Sequence, residues 1–206
     1  MIGYVVALLS LAALALATYV RQRRAQRRRR DLLPGAAWIP PERLHVDLPD
    51  EAFALAPMTC GHSRRVLAAW HIDSPAGDRA AIEYAFDSGF GERRRTHAYR
   101  IVLRAIDEVR GPALATRDEV LAARAALTAV CEARCGPWRV LSSSGGDARA
   151  FETMPVSWWE EQPAERNFEI RPGLLAAYER GAMDEFTLPD LMQALDALAR
   201  RVSEAR

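Results

Sequence analysis

The search for chemistry starts at the cysteines. Cys60-Gly61-His62 offers a thiol and an imidazole in C-x-H spacing, and Cys131 and Cys135 stand four residues apart. Brought together, these four side chains would make a tetrahedral Cys3His site for zinc. The spacing matches no common zinc motif and neither cysteine pair is a C-x-x-C, so no metal and no cofactor is expected. Cys60 beside His62 would act as a nucleophile with its base only if a third group oriented the ring, and no such group can be named. No G-x-S-x-G elbow and no H-E-x-x-H helix occurs.

Carboxylates and imidazoles come next. His71, Asp73, Glu83 and Asp87 fall on the polar side of adjacent expected strands, where a cross-strand acid/base pair is geometrically allowed. A solvated sheet face carries the same residues, and that is the reading expected. His97 alternates with Tyr99 and Ile101 and is expected to be a packed histidine. Two glycine-rich stretches, SGFGERRR at 88–95 and SSSGGD at 142–147, are candidates for phosphate loops. The chain contains no lysine, and both stretches lie between expected strands, so both read as hairpin turns.

Two features suit recognition better than catalysis. Arg93, Arg94 and Arg95 put three charges at a hairpin base, able to meet anionic lipid or an acidic partner. Trp158 and Trp159 lie in an expected loop flanked by prolines and acids. A tryptophan pair there can anchor a partner protein or fold over the core.

The elements that must position these residues follow from periodicity. RVLAAWHID at 65–73 alternates, with Val66, Ala68, Trp70 and Ile72 expected on one face. AAIEYAFD at 80–87 and THAYRIVLRAI at 96–106 alternate again, through Ile82, Tyr84 and Phe86 and through Tyr99, Ile101 and Leu103. Three such runs predict an antiparallel β-meander with one buried face. A helix is expected next, capped by Thr116 with Glu119, carrying a stripe of Val120, Leu127, Val130 and Cys131, and ended by Gly136-Pro137. PWRVLSS at 137–143 and ARAFETM at 148–154 read as a β-hairpin, and GLLAAYERG at 173–181 as a short helix. The last helix is capped by Thr187, and Leu188, Leu191, Met192, Leu195, Leu198 and Val202 share one face. The fold class is therefore α+β, with one domain expected over residues 61–206.

The first 60 residues differ in character. Residues 2–20 carry no charged side chain, and as a helix they would span roughly 28 Å, near the thickness of a bilayer's hydrocarbon core. Tyr4 and Tyr19 lie near the two ends, where aromatic rings favour the interface. Arg21, Arg23, Arg24, Arg27, Arg28, Arg29 and Arg30 follow directly. A cleaved signal peptide needs its charge before the apolar run, and a soluble core helix would not be flanked this way. Residues 1–20 are therefore expected to be a retained transmembrane anchor. The block at 21–30 is expected to fix topology and touch anionic headgroups; nucleic-acid binding is its weaker alternative. Residues 31–60, punctuated by Pro34, Pro40, Pro41, Pro49 and Pro57, are expected to be a tether, with a short helix possible over Asp50–Leu55.

Charge narrows the function class. The net charge of +1 hides an asymmetry, because residues 31–206 hold 21 arginines against 27 acidic residues. An acidic domain of that kind is not expected to bind nucleic acid. The expected protein is a single-pass inner-membrane protein with its N-terminus outside and a cytoplasmic binding or scaffolding domain. A membrane-bound enzyme using the meander's polar residues and an exported domain are the alternatives.

Overall fold

The computed structural model describes residues 16–17, 20, 33, 35–73, 78–107, 111–143, 145–183 and 187–204. The chain divides into two units, Met1–Pro34 and Gly35–Arg206. In the first, Leu16, Ala17 and Val20 are helical. The expected lipid contacts Tyr4, Tyr19, Arg21, Arg23, Arg24, Arg27, Arg28, Arg29 and Arg30 lie outside the described residues. Among the described residues, no helix is long and apolar enough to cross a membrane.

The second unit is α+β. Its described strands are β1 (Ala37–Trp38), β2 (His62–Ile72), β3 (Arg79–Ser88), β4 (Arg95–Ala105), β5 (Ala113–Thr116), β6 (Cys131–Cys135), β7 (Trp138–Ser142), β8 (Arg166–Arg171) and β9 (Leu174–Arg180). They form one antiparallel sheet in the order β1-β2-β3-β4-β9-β8-β5-β7-β6. The described helices are α1 (Leu44–Asp47), α2 (Asp50–Phe53), α3 (Ala56–Thr59), α4 (Glu119–Ala126), α5 (Gly145–Glu152), α6 (Val156–Glu161) and α7 (Leu188–Glu204).

The meander stands as β2-β3-β4, but both of its faces are covered. The first face carries Ile82, Tyr84, Phe86, Tyr99, Ile101 and Tyr178 in one core with Leu48, Leu55 and Met58 of the α1–α3 segment and Leu121 of α4. On the second face, α7 lies against β4 and β9, and α5 lies on β6 and β7. Strand β3 is consequently buried along nearly its whole length, Glu83 and Asp87 included. A register shift between Val66 and Ala68 places a bulge at Leu67. The bulge turns Val66 to the first face while Ala68, Trp70 and Ile72 remain on the second, so the four do not share a face.

The expected tether is, from Ala37 onward, part of the domain. Its prolines break it into short helices, and Ile39, Leu48, Ala52, Leu55, Ala56, Met58 and Cys60 join the core. Further along, the expected helix over 116–135 is only α4. Asp118, not Thr116, caps it by accepting from the Val120 and Leu121 N–H groups. Leu127 and Val130 are 72% and 79% exposed, so the apolar stripe is not a buried one. Cys131–Cys135 is the edge strand β6, and Gly136-Pro137 is the hairpin turn into β7, with Gly136 at φ +57°.

Two further elements exchange type. Residues 145–152 form helix α5, whose Ala148 and Phe151 face inward with Met154 just beyond. Residues 174–180 form strand β9 rather than a helix, because both sides of this Leu- and Ala-rich run are buried. With β8, which the polar composition conceals, β9 joins the meander to β5-β7-β6. Helix α7 matches its expected span and inward face, apart from Met192, which is half-buried.

If α1–α3 and α7 are integral layers, Leu55→Ala and Leu195→Ala should each cost about 2–5 kcal/mol in urea denaturation of the folded chain. A cost near zero at Leu55 would mean that the segment before β2 is not docked.

Candidate functional site

The carboxylates inside this sheet decide where chemistry is possible. On the first face, Glu169 of β8 is 2% exposed. Its Oε2 accepts from the Ala56 N–H at 2.9 Å and from the Tyr178 hydroxyl at 3.0 Å. Its Oε1 accepts from Arg171 Nε at 2.7 Å, while Arg171 Nη2 donates to the Ala54 carbonyl at 2.5 Å. Residues 54–56 are thus tied to the floor of the sheet by hydrogen bonds as well as by apolar packing. Burial pushes the Glu169 carboxyl above its ordinary value, against the pull of Arg171 and the Ala56 N–H.

A cavity of about 310 Å³ opens beside this pair. Leu114, Leu141, Ala125 and Pro112 supply apolar walls, and Arg124 and Arg171 supply charge. Its roof is α4, fixed at the other end by Asp118. There Asp118 Oδ2 accepts from the Tyr99 hydroxyl and from Arg180 Nε, each at 2.8 Å. Burial holds the Tyr99 hydroxyl far above its ordinary value, so it stays protonated and donates. Among the described residues, no carboxylate pairs with Arg124. The cavity therefore combines an apolar wall, the Glu169–Arg171 pair and the guanidinium of Arg124, the composition of a small-ligand site.

The second face is closed by ion pairs. Glu179 accepts from Arg166 Nε at 2.6 Å and from Arg100 Nη2 at 2.7 Å. Asp196 of α7 takes Arg79 at 2.8 Å and Arg104 at 2.9 Å. Asp87 accepts from Arg94 at 2.5 Å, from Thr96 at 2.6 Å and from Arg65 at 3.2 Å. The Thr96 hydroxyl, then Arg94 and Arg65, hold its carboxyl well below the ordinary value.

The acid/base set that a polar sheet face would allow is therefore not assembled, and the solvated face expected there is instead buried at Glu83 and Asp87. The register puts His71 opposite Ala80 on the first face, whereas Glu83 and Asp87 belong to the second. His71 meets only Asp73, at 3.3 Å and exposed. His97 is packed as expected, stacked on Phe86 with its Nε2 2.7 Å from the Ser88 hydroxyl. Cys60 lies in the first-face core, and burial pushes its thiol up to about 11, the wrong direction for a nucleophile. Cys131 and Cys135 sit on β6, about 13 Å apart along an extended strand, so they cannot share one metal. Among the described residues, no His, Cys, Asp and Glu cluster could hold a metal.

The recognition candidates separate. Trp159 is 1% exposed, wedged among Trp138, Phe151 and Phe168 by α6. Trp158 is half-buried against Phe168. The pair is a helix that closes the core, not a loop. Arg93, Arg94 and Arg95 are exposed at the β3–β4 turn, although Arg94 is held by Asp87. SSSGGD does not turn a hairpin; it leads β7 into α5. Glu169, Arg171, Tyr178 and Arg124 carried no motif, and only the alternation of Asn167-Phe168-Glu169-Ile170-Arg171 marked a strand with one polar side.

The chain matches no protein-family model, no curated protein and no solved structure.

The two buried carboxylates predict opposite pH slopes. Asp87, with its pKa lowered from 3.8, contributes stability that is present above that value and lost as pH falls through its folded pKa. Glu169, with its pKa raised from 4.5, contributes stability that is present below that value and lost as pH rises through its folded pKa. Urea melts between about pH 2 and pH 8 should show a flatter acid limb for Asp87→Asn and a flatter rising-pH loss for Glu169→Gln. Parallel curves for wild type and variants would contradict both assignments.

Proposed function

We propose that this chain is a single-pass membrane protein whose α+β domain works at the cytoplasmic face as a binding module, with the cavity beside Glu169 as its ligand site. One observation carries the location: an uncharged stretch over residues 2–20 is followed at once by seven arginines. Such a block resists translocation and stays on the cytoplasmic side. It also meets the anionic headgroups of that leaflet.

Binding, rather than catalysis, is supported by how the carboxylates are spent. Both oxygens of Glu169 already accept hydrogen bonds from groups that hold the fold together, Oε2 from the Ala56 N–H and the Tyr178 hydroxyl and Oε1 from Arg171. Asp87, Glu179 and Asp196 are each held by two arginines. What the cavity offers instead is apolar surface and the charge of Arg124. An anchored domain also raises its own effective concentration for ligands and partners at that membrane.

A reporter fused after Arg206 should be active only in the cytoplasm, and replacing most of the seven arginines by glutamine should produce inverted molecules. Reporter activity on the outer side of the wild-type chain would overturn the topology. Native mass spectrometry of the full chain released from lipid discs should show a retained small molecule that is lost in Ala129→Trp, which fills the cavity wall. An empty wild-type cavity in every preparation would remove the binding reading.

A further inference from the structure

The tip of the β3–β4 hairpin presents a feature that the cavity does not use. Phe90 is 80% exposed, standing between Gly89 and Gly91. The backbone is built to put it there. Gly89 has φ +70°, and a Cβ on it would lie 2.5 Å from the Arg93 carbonyl oxygen. His62, at the start of β2, brings its Nε2 to 2.8 Å from the Gly89 carbonyl oxygen and stacks its ring on Phe90 at 4.7 Å. The phenyl ring is thus supported from one side and open to solvent on the other.

Around it the charge is one-sided. Arg64, Arg65, Arg93, Arg94 and Arg95 are all exposed, against Asp87 and Glu92 in the same two strand ends. Asp87 is already taken by Arg65 and Arg94. Arg64 bonds the Gly61 carbonyl through Nε alone. Among the described residues, no carboxylate pairs with Arg64, Arg93 or Arg95. Three guanidiniums with no described carboxylate partner thus lie in this turn and the adjoining strand ends, with one projecting aromatic ring, on a domain whose charge is otherwise acidic.

We propose that this tip is a second membrane contact: Phe90 enters the interfacial layer of an anionic bilayer while Arg64, Arg93 and Arg95 meet lipid phosphates. The proposal rests on the membrane-anchored reading given above. A single ring on a projecting turn that also carries unpaired cations fits a fluid anionic surface. An acidic protein partner would instead need a pocket or a packed apolar patch to desolvate the ring, and the turn provides neither. Docking here would give the domain a defined orientation at the bilayer.

The test is amide hydrogen exchange on the full chain in lipid discs, comparing phosphatidylcholine alone with discs that also contain phosphatidylserine. Amides of residues 89–95 should exchange roughly threefold or more slowly in the anionic discs. The slowing should disappear in Phe90→Ser and in the double variant Arg93→Gln/Arg95→Gln, with exchange in the β3 and β4 interiors unchanged. Equal exchange in both lipids would overturn the proposal. So would protection conferred by added polyglutamate in neutral discs but not by phosphatidylserine. If the chain stays outside the discs, the anchoring reading fails; the same comparison with phosphatidylserine vesicles added in solution then decides the docking by itself.

Discussion

A sheet covered on both faces leaves its internal carboxylates two choices: meet an arginine or remain protonated. Most of this domain's architecture follows from how that constraint is met. Glu179 lies between Arg100 and Arg166, linking β4, β8 and β9 across the point where the two halves of the sheet join. Asp196 carries the same logic to α7, whose attachment to the sheet runs through Arg79 and Arg104 as well as through leucines. Asp118 serves twice, capping α4 and accepting from Tyr99 and Arg180. Glu169 also meets an arginine, Arg171, but burial biases its carboxyl toward protonation, and it borders the cavity under α4.

That same constraint explains why no acid/base centre forms where the sequence allowed one. Cross-strand neighbours in a half-exposed sheet would have left Glu83 and Asp87 in water. That side is covered instead, so Glu83 is buried and Asp87 is held by Arg65 and Arg94. The cavity forms instead on the opposite face, between the roof α4 and the floor strands β5, β7 and β8. Its walls depend on residues 54–56 being held down by Glu169 and Arg171. Ala54 and Ala56, in the segment before β2, are thereby part of the wall of the proposed ligand site.

Legibility in the sequence followed the reach of the interactions. The runs through Ile82, Tyr84 and Phe86 and through Tyr99, Ile101 and Leu103 declare strands because alternate side chains meet different partners within the same hairpin. Helix α7 is equally plain, since Leu191, Leu195 and Leu198 need only their own spacing. Strand β9 is not legible: Leu174-Leu175-Ala176-Ala177 has good helix formers and no β-branched residue, and only burial on both sides makes it a strand. The edge strand β6 reads as helix for the same reason, with Cys131 and Cys135 four residues apart on one side of an extended chain. The site was hidden more deeply still. Ala56 and Glu169 are 113 residues apart, and their hydrogen bond exists only after the segment before β2 has packed on the far half of the sheet. Exposed features fared differently: Arg93 to Arg95 could be singled out from sequence, while the outward-facing Phe90 needed the geometry of two glycines to be seen.

The central claim is that buried carboxylate–arginine pairs, not a solvated polar face, hold the second side of this sheet. A double-mutant cycle at Glu179 and Arg166, measured by urea denaturation, addresses it most directly. The pair is 2.6 Å apart and both side chains are buried. Glu179→Gln should cost about 3–5 kcal/mol, because it leaves Arg166 and Arg100 without their carboxylate, and Arg166→Met should cost less, because Glu179 keeps Arg100. The double variant should then cost clearly less than the sum of the two. Single costs below about 0.5 kcal/mol that simply add would be those of exposed, independent residues, and would contradict the account.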